Sequence, residues 1–161
     1  MRRAVAFTGP SNSGKTTIIE KIAKRLVPKY RIAIIKHDPK DKAKFDVEGK
    51  DSYRFFQTGA EVVITSPTRT TYFSHRSKKI DDIIKMLGTF DLLMVEGLKH
   101  IPLPRIGVFR GAIDPDYLKF VQAVAIDQSV DKDQIPNHIA ILNLNDPDQI
   151  IQWIFKNAKE V

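Results

Sequence analysis

The sequence predicts an α/β fold, a mostly parallel sheet flanked by helices with an inserted β-hairpin. Short β-branched and apolar runs recur along the chain, with helical patterns between some of them. A glycine-rich turn at Gly9–Gly14 stands between the first such run and an amphipathic helix. In "AEVVITSPTRTTYFSHR", by contrast, two strand-like runs are divided only by Ser66-Pro67, which reads as a hairpin rather than a strand-helix-strand unit.

In chain order the expected strands are Arg3–Phe7, Arg31–Lys36, Glu61–Thr65, Thr70–Ser74, Asp91–Val95, Arg105–Phe109, Val121–Ile126 and His138–Asn143. Eight strands imply one sizeable sheet. The first helix runs from Lys15 to about Val27, because Ile18, Ile19, Ile22, Ala23 and Leu26 share a face and Pro28 stops it. A second begins near Asp51 and ends at Gly59, where glycine suits a left-handed C′ position. Ile80, Ile83, Ile84 and Leu87 mark a third, followed by Gly88. The last takes Asp146 as N-cap and Pro147 as its first residue, and buries Ile150, Ile151 and Ile154, with Phe155 a further candidate for that face. No internal repeat or low-complexity linker divides the chain, so residues 1–161 are expected to form a single nucleotide-binding domain.

Lysine and arginine number 26 against 19 acids, a formal charge of +7 that favours anionic partners. The densest basic runs, "KDKAK" and "HRSKK", read as solvated loops, and no nucleic-acid motif accompanies them. Cysteine is absent, which excludes disulfides and thiolate metal sites. Nothing at the N-terminus reads as a secretory signal, and no apolar run approaches the ~20 residues that span a bilayer. The expected compartment is the cytoplasm, with no membrane partner.

Gly9, Pro10, Ser11, Asn12, Ser13, Gly14, Lys15 and Thr16 fit the P-loop pattern G-x-x-x-x-G-K-[ST]. Its glycines let successive N–H groups turn inward around a polyphosphate, and the following helix adds the positive end of its dipole. Thr17 continues that helix. Lys15 can reach the β- and γ-phosphates, and the Thr16 hydroxyl can ligate Mg²⁺. The expected fold is therefore P-loop NTPase-like. Such a site needs a second acid, and "FDLLMVEG" places Glu96 where a buried strand ends. Asp38 can approach the same metal from the next loop, although Asp38-Pro39 is also ordinary turn chemistry. His37 has no second ligand at metal spacing and reads as a polar contact near the nucleotide. At "EGKDSYRFF", either Asp51 or Ser52 caps a helix, or the loop Gly49–Ser52, with Lys50, binds an anion.

Gly9–Thr17, "KHD" at Lys36–Asp38, "GKDSYR" at Gly49–Arg54, "TGA" at Thr58–Ala60, "DLLMVEGLKH" at Asp91–His100 and "PRIGVFR" at Pro104–Arg110 together resemble the MobB family of molybdopterin-guanine dinucleotide biosynthesis adaptor proteins. The match in order and spacing covers roughly the whole chain. The resemblance implies a P-loop GTP-binding protein with weak Mg²⁺-dependent GTPase activity. It also implies a homodimer that assists the molybdenum cofactor guanylyltransferase and meets molybdopterin or its guanine dinucleotide. It makes Lys50, Asp51 and Ser52 part of a functional loop. An Asn-Lys-x-Asp guanine motif is missing; Asp127, at the end of "AVAID", can accept from guanine N1 and N2, or is a plain loop aspartate.

Under this reading Lys15, Glu96 and Asp38 carry hydrolysis, with Thr16, Glu96 and Asp38 around the metal and GTP and Mg²⁺ as cofactors. No arginine finger is obvious from the sequence. The alternative is a P-loop small-molecule kinase, whose arginine-bearing lid would have to be "SHRSKK" at Ser74–Lys79. A third reading, a nucleic-acid module switched by a nucleotide, rests on net charge alone.

Overall fold

A computed structural model describes residues 2–161. The chain packs into two compact units, residues 2–37 with 89–161, and Asp38–Gly88.

The first unit is built on a seven-stranded sheet. Its strands are β1 (Arg3–Thr8), β2 (Ile32–Lys36), β5 (Leu92–Glu96), β6 (Arg105–Phe109), β7 (Ala123–Ile126), β8 (Ala140–Asn143) and β9 (Lys159–Glu160). The order is β2-β5-β1-β6-β7-β8, all parallel, and β9 adds antiparallel to β1 through Arg3 opposite Glu160. Apolar runs buried on both faces suit parallel strands, and "AVAF", "LLMV" and "IGVF" are fully buried. Side-chain alternation sorts them into two cores.

On one face, Val5, Phe7, Met94, Ile106, Val108 and Ala125 pack against Ile18, Ile19, Ile22 and Leu26 of α1 (Lys15–Leu26) and Ile150 and Ile154 of α5 (Pro147–Asn157). On the other, Phe109, Val124 and Ile126 meet Ile113, Val121, Val130, Ile135 and Ile139. This second core is closed by the short helix α4 (Pro115–Leu118) and a 3₁₀ turn at Lys132–Gln134, neither of which the hydrophobic periodicity announces. Asp146 caps α5 as expected, accepting from the amides of Asp148 and Gln149 at 3.1 and 3.0 Å.

The second unit holds α2 (Asp51–Gln57), the hairpin β3 (Val62–Thr65) and β4 (Thr70–Phe73), and α3 (Ile80–Leu87). Val62 is its one buried residue. The hairpin forms a sheet of its own, so the eight expected strands do not share one sheet: β3 pairs only with β4, and β9 takes a seventh place in the large sheet. The N-cap position of α2 falls on Lys50, with no side-chain cap; Asp51 and Ser52 lie one step inside, and Ser52 Oγ donates instead to Asp46 Oδ1 at 3.1 Å. Within this unit His75 stacks on Phe56 with ring centroids 3.7 Å apart, and Arg76 pairs with Glu61 at 3.6 Å.

Arg105 opens β6 with its side chain 1% exposed. Its guanidinium donates to the carbonyls of Gly97 and Leu98 at 2.7 and 2.8 Å and to that of Ile101 at 3.4 Å, tying down the segment that follows β5. Burial pulls its pKa below the ordinary arginine value, yet an arginine stays charged. Three carbonyls are held by one buried cation, so Arg105→Met is expected to lower unfolding free energy by about 2–4 kcal/mol. Chemical denaturation checks this, with a lower midpoint at unchanged slope as the expected result.

Candidate functional site

Strand order decides where the site lies. β1 sits between β5 and β6, all parallel, so the chain leaves Thr8, Glu96 and Phe109 at the same edge of the sheet. Ligands of open α/β sheets bind beyond the carboxyl ends of such strands. There a concavity of about 570 Å³ is lined by Ser11, Asn12, Gly14, Lys15, Thr16, Thr17, Lys36, Glu96 and Arg110.

The loop from Gly9 to Gly14 is shaped by positive φ angles: 142° at Gly9, 61° at Asn12 and 101° at Gly14. Gly9 tolerates nothing larger, since a Cβ there would stand 2.3 Å from the Val108 carbonyl oxygen. At Gly14 a Cβ would stand 3.3 Å from Arg110 Nε. Gly14 then opens α1 without a side-chain cap, leaving the amides of its first turn unclaimed by side chains. Ser13 Oγ is buried and makes no hydrogen bond with any described residue. Free amides, a cradle that only glycine fits and an orphaned hydroxyl suit a ligand rich in acceptor oxygens.

Lys15 Nζ donates to the carbonyls of Gly9 and Pro10 at 3.0 and 2.6 Å, folding back over its own loop. Burial lowers its pKa from the ordinary lysine value; Glu96 opposes this and Lys36 reinforces it. Glu96, at the end of β5, pairs with Lys36 at the end of β2, Nζ to Oε2 at 3.4 Å. The two residues are register partners in the β2–β5 ladder. The Lys36 side chain is more than half exposed, while that of Glu96 is largely buried.

The structure thus brings Ser11, Asn12, Gly14, Lys15, Thr16, Thr17 and Glu96 into one concavity. Gly9, Pro10 and Ser13 shape its loop. His37 is exposed beside Gly97, whose Cβ position lies 3.0 Å from His37 Cβ, and its amide continues the ladder to the Glu96 carbonyl at 3.0 Å. Asp38 opens the second unit, where its carboxylate accepts from the amides of Lys40, Lys42 and Ala43 at 3.3, 2.7 and 2.7 Å, the turn use of that residue. Lys50, Asp51 and Ser52 belong to the same second unit. Asp127 accepts from the Ser129 amide at 3.0 Å and the Ser129 hydroxyl, and lies 3.7 Å from Arg110 Nε. These Ser129 bonds, the hydroxyl first, hold its pKa below the ordinary aspartate value, helped by Arg110.

Lys36 and Arg110 stand at the ends of two motifs that carry the family resemblance, "KHD" and "PRIGVFR", but the sequence reading gives neither a role in the site. The signal that finds them is position, since each stands at or just past the carboxyl end of a strand neighbouring β1 or β5. As to a metal, among the described residues no three His, Asp or Glu side chains cluster closely enough to hold one. Thr16 and Glu96 suit Mg²⁺ only if phosphate oxygens and water complete its shell, which is this ion's habit.

Residues 4–127 match the family model described as MobB, molybdopterin guanine dinucleotide synthesis protein B. The chain belongs to the MobB family. It is 30% identical over 159 residues to a molybdopterin-guanine dinucleotide biosynthesis adapter protein of Haemophilus influenzae, covering 93% of this chain and 86% of that one. It is also 30% identical to the adapter protein of that name from Escherichia coli K12, over 94% and 93% of the two chains. The crystal structure of Bacillus subtilis MobB superposes with a TM-score of 0.77 over 98% of this chain and 99% of that one; at 22% identity it speaks for the fold. MobB membership accords with the P-loop-like arrangement of β1, loop and α1.

Gly9→Ala tests that geometry. The added methyl meets a backbone carbonyl and the residue keeps a φ that alanine rarely adopts, so a destabilisation of at least about 1–3 kcal/mol is expected. A thermal melt of the variant beside the parent checks it, with a lower midpoint expected.

Proposed function

We propose that this MobB-family chain is a GTP-binding adapter in molybdopterin-guanine dinucleotide synthesis, with slow Mg²⁺-dependent GTP hydrolysis, serving the guanylyltransferase that makes the dinucleotide. The observation that carries the nucleotide reading is the convergence of Lys15, Thr16 and Glu96 on one concavity beside a loop of inward-curving backbone. The adapter role rests on the relatives of this chain, which are molybdopterin-guanine dinucleotide biosynthesis adapter proteins.

In this reading the amides of Asn12 to Lys15 bind phosphate oxygens, and Lys15 exchanges the carbonyls of Gly9 and Pro10 for the β- and γ-phosphates. Thr16 and Glu96 would hold Mg²⁺, which supplies charge neutralisation at the phosphates. Glu96 also orients water at the sheet edge. Lys15 must be protonated to bind; because burial lowers its pKa, affinity falls as pH rises, beginning below the ordinary lysine range. Catalysis of this kind is positioning and electrostatics, consistent with slow turnover.

Calorimetric titration of Mg-GTP and Mg-ATP is the test. GTP is expected to bind more tightly than ATP, and Lys15→Ala to weaken both at least about tenfold, or ~1.4 kcal/mol. Thr16→Ala is expected to matter with Mg²⁺ and to lose its effect on chelation. Equal binding of GTP and ATP would turn the reading toward a kinase, and unchanged affinity in Lys15→Ala would remove the P-loop reading.

The second unit is proposed to carry homodimerisation. Its hairpin exposes Val63, Ile64 and Tyr72, and Phe55 is 60% exposed, an apolar surface that suits a second copy. Sedimentation at micromolar concentration is expected to give a dimer, and Val63→Lys to shift it toward monomer.

A further inference from the structure

The geometry points to Arg110 as a phosphate-binding residue of this site, held in place by Asp127 and Ser129. The inference deepens the nucleotide reading above and rests on it; the ligand class is a nucleoside diphosphate or triphosphate. Arg110 follows β6 directly and lines the same concavity as Lys15 and Thr16. Its guanidinium lies alongside Gly14, the residue that opens α1: a Cβ there would be 3.3 Å from Nε and 3.7 Å from both Cζ and Nη2. A guanidinium in this place adds to the amides of the loop a flat donor surface matched to phosphate oxygens.

The supports of Arg110 are built rather than incidental. Gly111, at φ 75°, turns the chain immediately after it, and the Ala112 amide closes that turn on the Arg110 carbonyl at 2.9 Å. The Gly111 amide donates to Ser129 Oγ at 2.8 Å, and the Ser129 hydroxyl donates to Asp127. Asp127 therefore faces Arg110 with one carboxylate oxygen while Ser129 holds the other. At 3.7 Å the Arg110–Asp127 contact is attraction between charges rather than a hydrogen bond, and Arg110 is about half exposed. The guanidinium is aimed but not consumed.

Its side of the site also has a meaning. Glu96 and Lys36 stand on strands to one side of β1 and Arg110 follows the strand on the other, so Arg110 and the proposed metal ligand Glu96 flank β1 from opposite sides. From there it meets the phosphates common to GDP and GTP. Asp127 in this account acts through Arg110 and does not read the base.

The experiment is a titration of GTP, GDP and ATP, each with and without Mg²⁺, against the parent chain, Lys15→Ala, Arg110→Ala, Arg110→Lys, Asp127→Asn and the double variant Arg110→Ala/Asp127→Asn. Arg110→Ala is expected to lose about tenfold or more in affinity for GDP and GTP alike, whether or not Mg²⁺ is present, with Arg110→Lys between it and the parent. Asp127→Asn is expected to weaken GTP and ATP by the same smaller factor and to add nothing in the Arg110→Ala background. If Lys15→Ala is impaired and Arg110→Ala binds like the parent, this inference fails and the nucleotide reading stands. A changed GTP-to-ATP ratio in Asp127→Asn would overturn the positioning role and assign Asp127 to the base. A parent chain that binds no nucleotide overturns both readings.

Discussion

The site depends on two parallel pairings made by one strand. β1 takes β5 on one side, with Phe7 opposite Glu96, and β6 on the other, with Thr8 opposite Gly107. Parallel pairing sends three chain exits to a single edge, and the side chains beyond those exits need no further device to meet. The first glycine of the loop then presses against the Val108 carbonyl of β6, so the phosphate loop rests on the very ladder that sets its neighbours. Arg105 completes the frame from below: it holds the carbonyls that follow Glu96 and so limits how far that exit can drift.

Charge at this edge is arranged in weakly held pairs. Glu96 faces Lys36, Asp127 faces Arg110, and Lys15 leans on two carbonyls of its own loop. In both ion pairs the basic side chain is about half exposed or more while the carboxylate lies mostly buried, and the contacts are 3.4 and 3.7 Å long. The ground state is thus preorganised in position while its charges stay available, which favours binding an anion over storing stability.

Much of this was legible from residue order. Helix α1 was readable from its apolar stripe and Pro28, α5 from Asp146-Pro147, and the phosphate loop from two glycines and Lys-Thr placed between strand and helix. Local signals of that kind act over a few residues. What escaped depends on partners distant in sequence. Arg105 looks like any strand-opening arginine until the carbonyls of Gly97, Leu98 and Ile101 fold over it. Arg110 gains its place only when β6 is set beside β1. The hairpin could be recognised as a hairpin, but whether it would join the large sheet was a question of edge pairing, which alternation of side chains does not answer. β9 is too short for any pattern, and α4 is a single turn begun by Asp114-Pro115.

The sparse burial of Asp38–Gly88 bears on the time scale of its motions. A stretch with Val62 as its one buried residue relies on ladder and helix hydrogen bonds that lie close to water, while the sheet of the first unit keeps its bonds beneath two apolar layers. Local opening therefore requires little surface to be exposed in the one and a great deal in the other. Backbone amides of α2, the hairpin and α3 should trade protons with solvent long before those of β1, β5 and β6, giving one chain two separate clocks.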